Sequence, residues 1–137
     1  MLKFVRPIPF AEMLGLQLMR FESGEAEIHV ELKPDQCNSF QAAHGGLIMT
    51  LLDVVMAHAA RSPVPGQSND DRGVVTIEMK TSFMRPGQGK LVGQARVMHR
   101  TGSMAFCEAT VHGEEDELVA HASGTFKYMR GLPQRSD

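Results

Sequence analysis

From Gly46 to Ala60 the chain runs for fifteen residues with no proline, no second glycine and mostly Leu, Val, Met and Ala. That is too long for an ordinary strand, so it reads as the one long helix of the chain. Leu47, Ile48, Met49, Leu51, Leu52, Val54, Val55 and Met56 point in every direction around it, with only Thr50, Asp53 and His58 polar. A helix that is apolar all round has to be enclosed. The rest of the chain is therefore expected to wrap it.

The remaining segments read as strands. Residues 16–21 and 25–32 flank Ser23-Gly24, a hairpin signal, and a short helical turn over 10–14 precedes them. Residues 33–43 hold Pro34, Asp35, Asn38 and Ser39, which favour irregular backbone. Four more strands are expected over 74–84, 91–100, 104–112 and 119–129, divided by Pro86-Gly87, Thr101-Gly102 and residues 113–117.

With two-residue alternation, one face of these strands is small: Gly93, Ala95 and Val97; Ala105, Cys107, Ala109 and Val111; Ala120, Ala122, Gly124 and Phe126. Small positions suit close packing against a bulky helix. The other faces carry Gln94, Arg96, Met98 and Arg100, then Glu108, Thr110 and His112, then His121, Ser123, Thr125 and Lys127, and read as solvated. The expectation is an α+β domain, one antiparallel sheet curled around one helix. At 137 residues a single domain over 1–137 is enough, with residues 131–137 read as a frayed tail and residues 61–73 as an exposed loop or lid.

A net charge of −2 provides no basic field to hold a nucleic acid, and no apolar run reaches the roughly 18 residues of a membrane span. Cys37 and Cys107 lie far apart without Cys-x-x-Cys spacing, and Pro7, Pro9 and Glu12 break up the N-terminus, so a cytoplasmic setting is expected. His29, His44, His58, His99, His112 and His121 lack metal-site spacing, and Cys37 has no evident base beside it. No metal or cofactor is expected.

Asp53 is the residue out of place. A carboxylate inside an apolar helix must be paired, neutralised or put to use. Either it accepts a structural bond at a partly wet interface or it serves as a base. His44 and two glycines immediately before the helix supply backbone N–H groups at a helix N-terminus, where an oxyanion can be held. A base and an oxyanion donor are half of a hydrolytic site.

The pattern Asn38-x5-His44-Gly45-Gly46-x6-Asp53 resembles the motif of hotdog-fold acyl-CoA thioesterases of the phenylacetic-acid-degradation type. Leu14-Gly15-Leu16, residues 76–86 (TIEMKTSFMRP) and residues 118–126 (LVAHASGTF) extend the likeness over nearly the whole chain in order. The resemblance implies a hotdog fold, hydrolysis of an aryl- or fatty-acyl-CoA with CoA as part of the substrate, and a homodimer with shared active sites, further paired into a homotetramer. It places Asn38, His44 and Gly45 of one subunit opposite Asp53 of the other. Gly45 N–H would polarise the thioester carbonyl and Asp53 would act as general base or as nucleophile. Asn38 would hold the water or the carbonyl, and His44 would fix the loop or polarise the substrate.

Thr76 matches a hydroxyl position that orients water in some relatives. Strict alternation, however, puts Thr76 on the face of Glu78 and Lys80, away from Val75, Ile77, Met79, Thr81 and Phe83; a bulge or the dimer interface would reconcile the two. Gln41 stands where the family commonly has Gly, a departure that bears on the shape of the loop. Arg85, Lys90, Arg100, Gly102 and Ser103 are candidates for the phosphates of CoA, and Gly46, Met49 and Met56 for the acyl end. The competing readings are a hotdog hydratase or dehydratase acting on an acyl thioester, a non-catalytic acyl-CoA-binding protein, and a structural protein with a degenerate site.

Overall fold

The computed structural model describes residues 1–66 and 72–130. The element order is α1 (Pro9–Leu14), β1 (Gln17–Glu22), β2 (Glu25–Glu31), a 3-10 turn (Pro34–Gln36), α2 (Gly45–Arg61), β3 (Gly73–Phe83), β4 (Lys90–Arg100), β5 (Met104–His112) and β6 (Leu118–Met129). The expected tail, and residues 67–71 of the expected loop or lid, lie outside the described residues.

All strand pairs are antiparallel and form one six-stranded sheet in the order β1-β2-β4-β5-β6-β3. The chain builds the β1-β2 hairpin through Ser23 (φ 53) and Gly24 (φ 77), both left-handed as a tight hairpin turn requires. It then runs through α2 and lays β3 on the far edge. From there it returns beside β2 with the β4-β5-β6 meander.

The helix α2 touches every strand from β1 to β6, so the expected wrapping is observed. The small inner face explains how closely. A Cβ built on Gly93 would stand 3.0 Å from Leu51 Cγ, and one on Gly124 would stand 3.0 Å from Met56 Cε. Leu51, Leu52, Val55 and Met56 are fully buried, as are Ala105, Ala120, Ala122 and Phe126. Burying a side chain of Leu or Met size stabilises by roughly 1.5–3 kcal/mol.

Three expectations about faces need correction. First, the helix is not covered all round. Gly46, Met49, Thr50 and Asp53 form a stripe at helical spacing that the sheet leaves partly or fully open.

Second, β3 carries a bulge: Thr76 pairs with Phe126 and Glu78 with Thr125, leaving Ile77 as the extra residue. The bulge reverses the alternation. Thr76 therefore faces inward with Met79 and Thr81, while Ile77 turns outward at 52% exposure.

Third, β4 has a similar shift between Val97 and His99, so Arg100 pairs with the fully buried Ala105. Arg100 leaves the solvated face and points under the sheet. There its Nη2 donates to the Ala60 carbonyl at 3.2 Å, at the C-terminal end of α2.

Candidate active site

The loop before α2 is built by Asn38. Its Oδ1 accepts from the backbone amides of Phe40 (2.9 Å) and Ala42 (3.3 Å), and its own amide donates to Ala42 O at 2.7 Å. Because Oδ1 is held by the loop, Nδ2 is the end of the side chain that can meet a ligand. Gln41 adopts φ 62, the left-handed conformation that glycine takes most easily, and so keeps the loop shape despite its side chain. His44 is the N-cap of α2: its Nδ1 accepts from Gly46 N at 2.9 Å. A ring nitrogen that accepts a backbone N–H carries no proton, so neutral His44 holds its proton on Nε2.

The first turn of α2 is satisfied unevenly. Gly46 N donates to His44 Nδ1, and Leu47 N and Ile48 N both donate to His44 O at 3.0 and 3.2 Å. Gly45 N–H, the first of the helix, has no acceptor among the described residues. It sits at the positive end of a seventeen-residue helix, beside a cleft of about 370 Å³. That is the arrangement of an anion or carbonyl-oxygen site.

Asp53 lies two turns further along. It is half-buried on the open stripe, and Thr76 Oγ1 donates to its Oδ1 at 2.6 Å. The β3 bulge that brings Thr76 inward is what makes this contact. Eight residues of helix separate Gly45 from Asp53, a rise of roughly 12 Å. A single carbonyl group spans only a few ångströms, less than this rise along the helix.

The other candidates divide. Met49 is 39% exposed on the open stripe. Met56 is a correction: it is fully buried against Gly124, where β6 closes the stripe, and it fills the core. Arg85 rims the cleft beside Gly45, its Nη1 donating to Leu118 O at 3.1 Å, and Lys90 opens β4 at the same end of the sheet.

Arg100, Gly102 and Ser103 lie at the opposite end, near the C-terminus of α2, where Arg72 Nη1 donates to Gly102 O. The phosphate candidates thus form two separate groups. A depression of about 320 Å³ on the outer sheet face, walled by the ion pairs Arg20–Glu25 and Arg96–Glu108, contains none of the motif residues.

Cys107 is buried and its thiol is pushed up to about 11 by that burial, which leaves it inert as a nucleophile. Among the described residues no three His, Cys, Asp or Glu side chains converge as metal ligands, and no helix is long and apolar enough to cross a membrane.

Two residues at the cleft were not singled out from sequence. Phe40 is 85% exposed and Phe83 52%. Phe40 had a visible signal, an aromatic residue inside a polar loop. Phe83 had none, because it reads as one more apolar strand position.

Residues 40–120, more than half of the chain, match the family model described as Thioesterase superfamily. The chain belongs to the thioesterase superfamily. The matched span carries His44, Gly45, Asp53 and Thr76. Among relatives of this superfamily member, the medium/long-chain acyl-CoA thioesterase YigI of Escherichia coli K12 is 27% identical over 135 residues, covering 90% of this chain and 87% of that protein.

The solved structure of conserved protein PA5202 from Pseudomonas aeruginosa superposes with a TM-score of 0.82 at 31% identity, covering 90% and 95% of the two chains. The E. coli PaaI protein from the phenylacetic acid degradation operon superposes with a TM-score of 0.79 at 22% identity, covering 88% and 83%, a likeness that speaks for the fold alone. The sheet curled around α2 is the hotdog fold of this superfamily.

Proposed function

We propose that this superfamily member is an acyl-CoA thioesterase whose working unit is a dimer, with Gly45 and Asn38 of one subunit facing Asp53 and Thr76 of the other. The observation that carries the reading is the pairing of an unsatisfied Gly45 N–H with a Thr76-held Asp53 some 12 Å away along one helix. Two incomplete halves in each chain make complete sites when two chains meet.

The edge strand β3 favours such a meeting. It is eleven residues long and lies at the border of the sheet, with Ile77 exposed on its outer face. A long apolar edge left unpaired invites another strand. The other edge is treated differently, since Leu2 bridges to Leu18 of β1.

In this mechanism Asp53 takes a proton from water, and the resulting hydroxide attacks the thioester carbonyl carbon. Thr76 donates to Oδ1, which orients the carboxylate and leaves Oδ2 toward the water. The carbonyl oxygen gains the electron pair and is held by the Gly45 N–H at the helix N-terminus. Collapse of the tetrahedral intermediate breaks the C–S bond, and the proton on Asp53 returns to the departing CoA sulfur. Asn38 Nδ2 and the Nε2–H of His44 are the remaining donors at this mouth.

The test uses two variants that each disable one half. Asp53→Asn removes the base, with an expected loss of about 10²–10⁴ in thiol release. Gly45→Pro replaces the N–H by a ring carbon and leaves the helix in place: proline suits the first helical position, and His44, at φ −60 and ψ 140, already has the backbone that precedes proline. Its expected loss is about 10²–10³. Unfolded and refolded together, the two inactive chains should recover activity that neither has alone. Recovery of nothing would rule out the shared site, and full activity in Asp53→Asn would remove Asp53 as the base.

A further inference from the structure

We infer that the cleft between the 38–44 loop and the end of β3 is the acyl pocket, that Phe83 and Phe40 are its specificity walls, and that it takes an uncharged apolar acyl group of medium length. The inference rests on the thioesterase reading above, because the position of the reacting carbonyl is taken from Gly45. Three observations carry it.

The first is position. Gly45 and Asn38 both line the cleft, so a carbonyl oxygen held by Gly45 N–H leaves its acyl substituent beside it. A Cβ built on Gly45 would stand 3.5 Å from Phe83 Cε1 and 3.6 Å from Cζ, which puts that ring beside the residue that carries the N–H.

The second is chemistry. Beyond Gly45 the cleft is walled by Phe40, Ala43, Ile48, Phe83 and Met84, and Arg85 at the rim already donates to Leu118 O. No carboxylate or ammonium lines it and its one guanidinium, Arg85, stands at the rim, so a charged acyl terminus set against Phe40, Ile48 and Phe83 would be left without a partner. Phe40, Phe83 and Met84 are 85%, 52% and 50% exposed, an apolar cost that an apolar ligand removes.

The third is size. At about 370 Å³ the cleft lies at the small end of ligand pockets, roughly 300–1,000 Å³. With roughly 30 Å³ per small heavy-atom group, it accommodates on the order of ten carbon atoms, not a whole CoA thioester.

The experiment measures thiol release from acetyl-, hexanoyl-, decanoyl- and phenylacetyl-CoA by wild type, Phe83→Ala, Phe83→Leu and Phe40→Ala, with the oligomeric state of each read by size-exclusion chromatography. Phe83→Ala should lower kcat/KM for decanoyl- and phenylacetyl-CoA by about tenfold or more and leave acetyl-CoA nearly unchanged. Removing packing surface from an apolar pocket has effects of that order. Phe83→Leu should restore most of the decanoyl rate, and Phe40→Ala should show the same selectivity more weakly.

An equal loss for all four substrates would mean that the cleft holds the CoA arm they share, and the inference fails while the thioesterase reading stands. Loss of the dimer in Phe83→Ala would make Phe83 an interface residue and overturn the inference too. If wild type cleaves none of the four, the thioesterase reading itself falls, and the acyl pocket with it.

Discussion

The two ends of α2 were built to opposite specifications. At the N-terminal end Gly45 N–H is left without an acceptor among the described residues, His44 caps from an exposed position, Asn38 offers Nδ2, and the neighbouring aromatics stand in the open. At the C-terminal end carbonyls of the last turn are met by side chains, although Arg100 Nε stays buried without a partner among the described residues. Ala59 O accepts from Ser62 N (3.2 Å) and Ser62 Oγ (2.8 Å), while Ala60 O accepts from Tyr128 OH (2.7 Å) and Arg100 Nη2 (3.2 Å). Ser62 also accepts from Gly24 N, tying the helix end to the first hairpin. His58 sits buried between the rings of Phe4 and Phe21, its Nδ1 against Val54 O at 2.8 Å.

A closed end anchors the helix, so the other end can be left unsatisfied where the chemistry needs it. Unpaired polar groups cost stability, and they persist where the rest of the fold holds them in place.

This contrast is most directly broken by Arg100→Met, which keeps the length of the side chain but removes the guanidinium from Ala60 O. Stability in urea should fall by about 2 kcal/mol, as for the loss of a hydrogen bond to a charged group, while thiol release by the folded protein is unchanged. Reduced turnover at unchanged stability would move Arg100 to the substrate and end the division between the two ends.

A smaller effect concerns pH. Burial lowers the pKa of His58 below 6.5, so the unfolded chain takes up this proton before the folded one. The stabilisation is complete above pH 6.5 and is lost as the pH falls below it, by at most about 1.4 kcal/mol per pH unit. Glu27 and Glu108 have pKa values lowered from 4.5 and act only in more acidic solution. Unfolding measured between pH 7 and pH 5 (a range on the order of two units) should therefore slope in wild type and flatten in His58→Leu. An equal slope in both would place the sensitive group elsewhere.

The smallest expected change is at the open end. Gln41→Gly relieves a left-handed backbone at the expense of a freer unfolded chain, so stability should rise by about 0.5 kcal/mol in a thermal melt. A fall would show that the Gln41 side chain contributes contacts worth more than the strain.

Much of this architecture was legible in the residues. The helix was readable from fifteen mostly apolar positions uninterrupted by proline, the first hairpin from Ser23-Gly24, and the enclosing sheet from the small inner faces of the last three strands. The His44-Gly45-Gly46 and Asp53 pattern located the helix that carries the candidate site. The errors cluster at the bulges. Alternation placed Thr76 and Arg100 on the wrong faces because each bulge inserts one residue, at Ile77 and Met98, and no residue type there announces it. The open position of Met49 was likewise beyond periodicity, since it depends on how far the sheet reaches around the helix.

Local sequence by itself determined which segments are helix and strand, which faces are small, and that a carboxylate and a capped glycine amide share one helix. These depend on backbone propensity and on side-chain period, which neighbouring residues set. Tertiary structure alone decided that Thr76 reaches Asp53, that Arg100 closes the helix instead of facing solvent, and that Phe83 stands over Gly45. Those outcomes depend on register between strands distant in sequence, where a one-residue shift exchanges the two faces of a sheet.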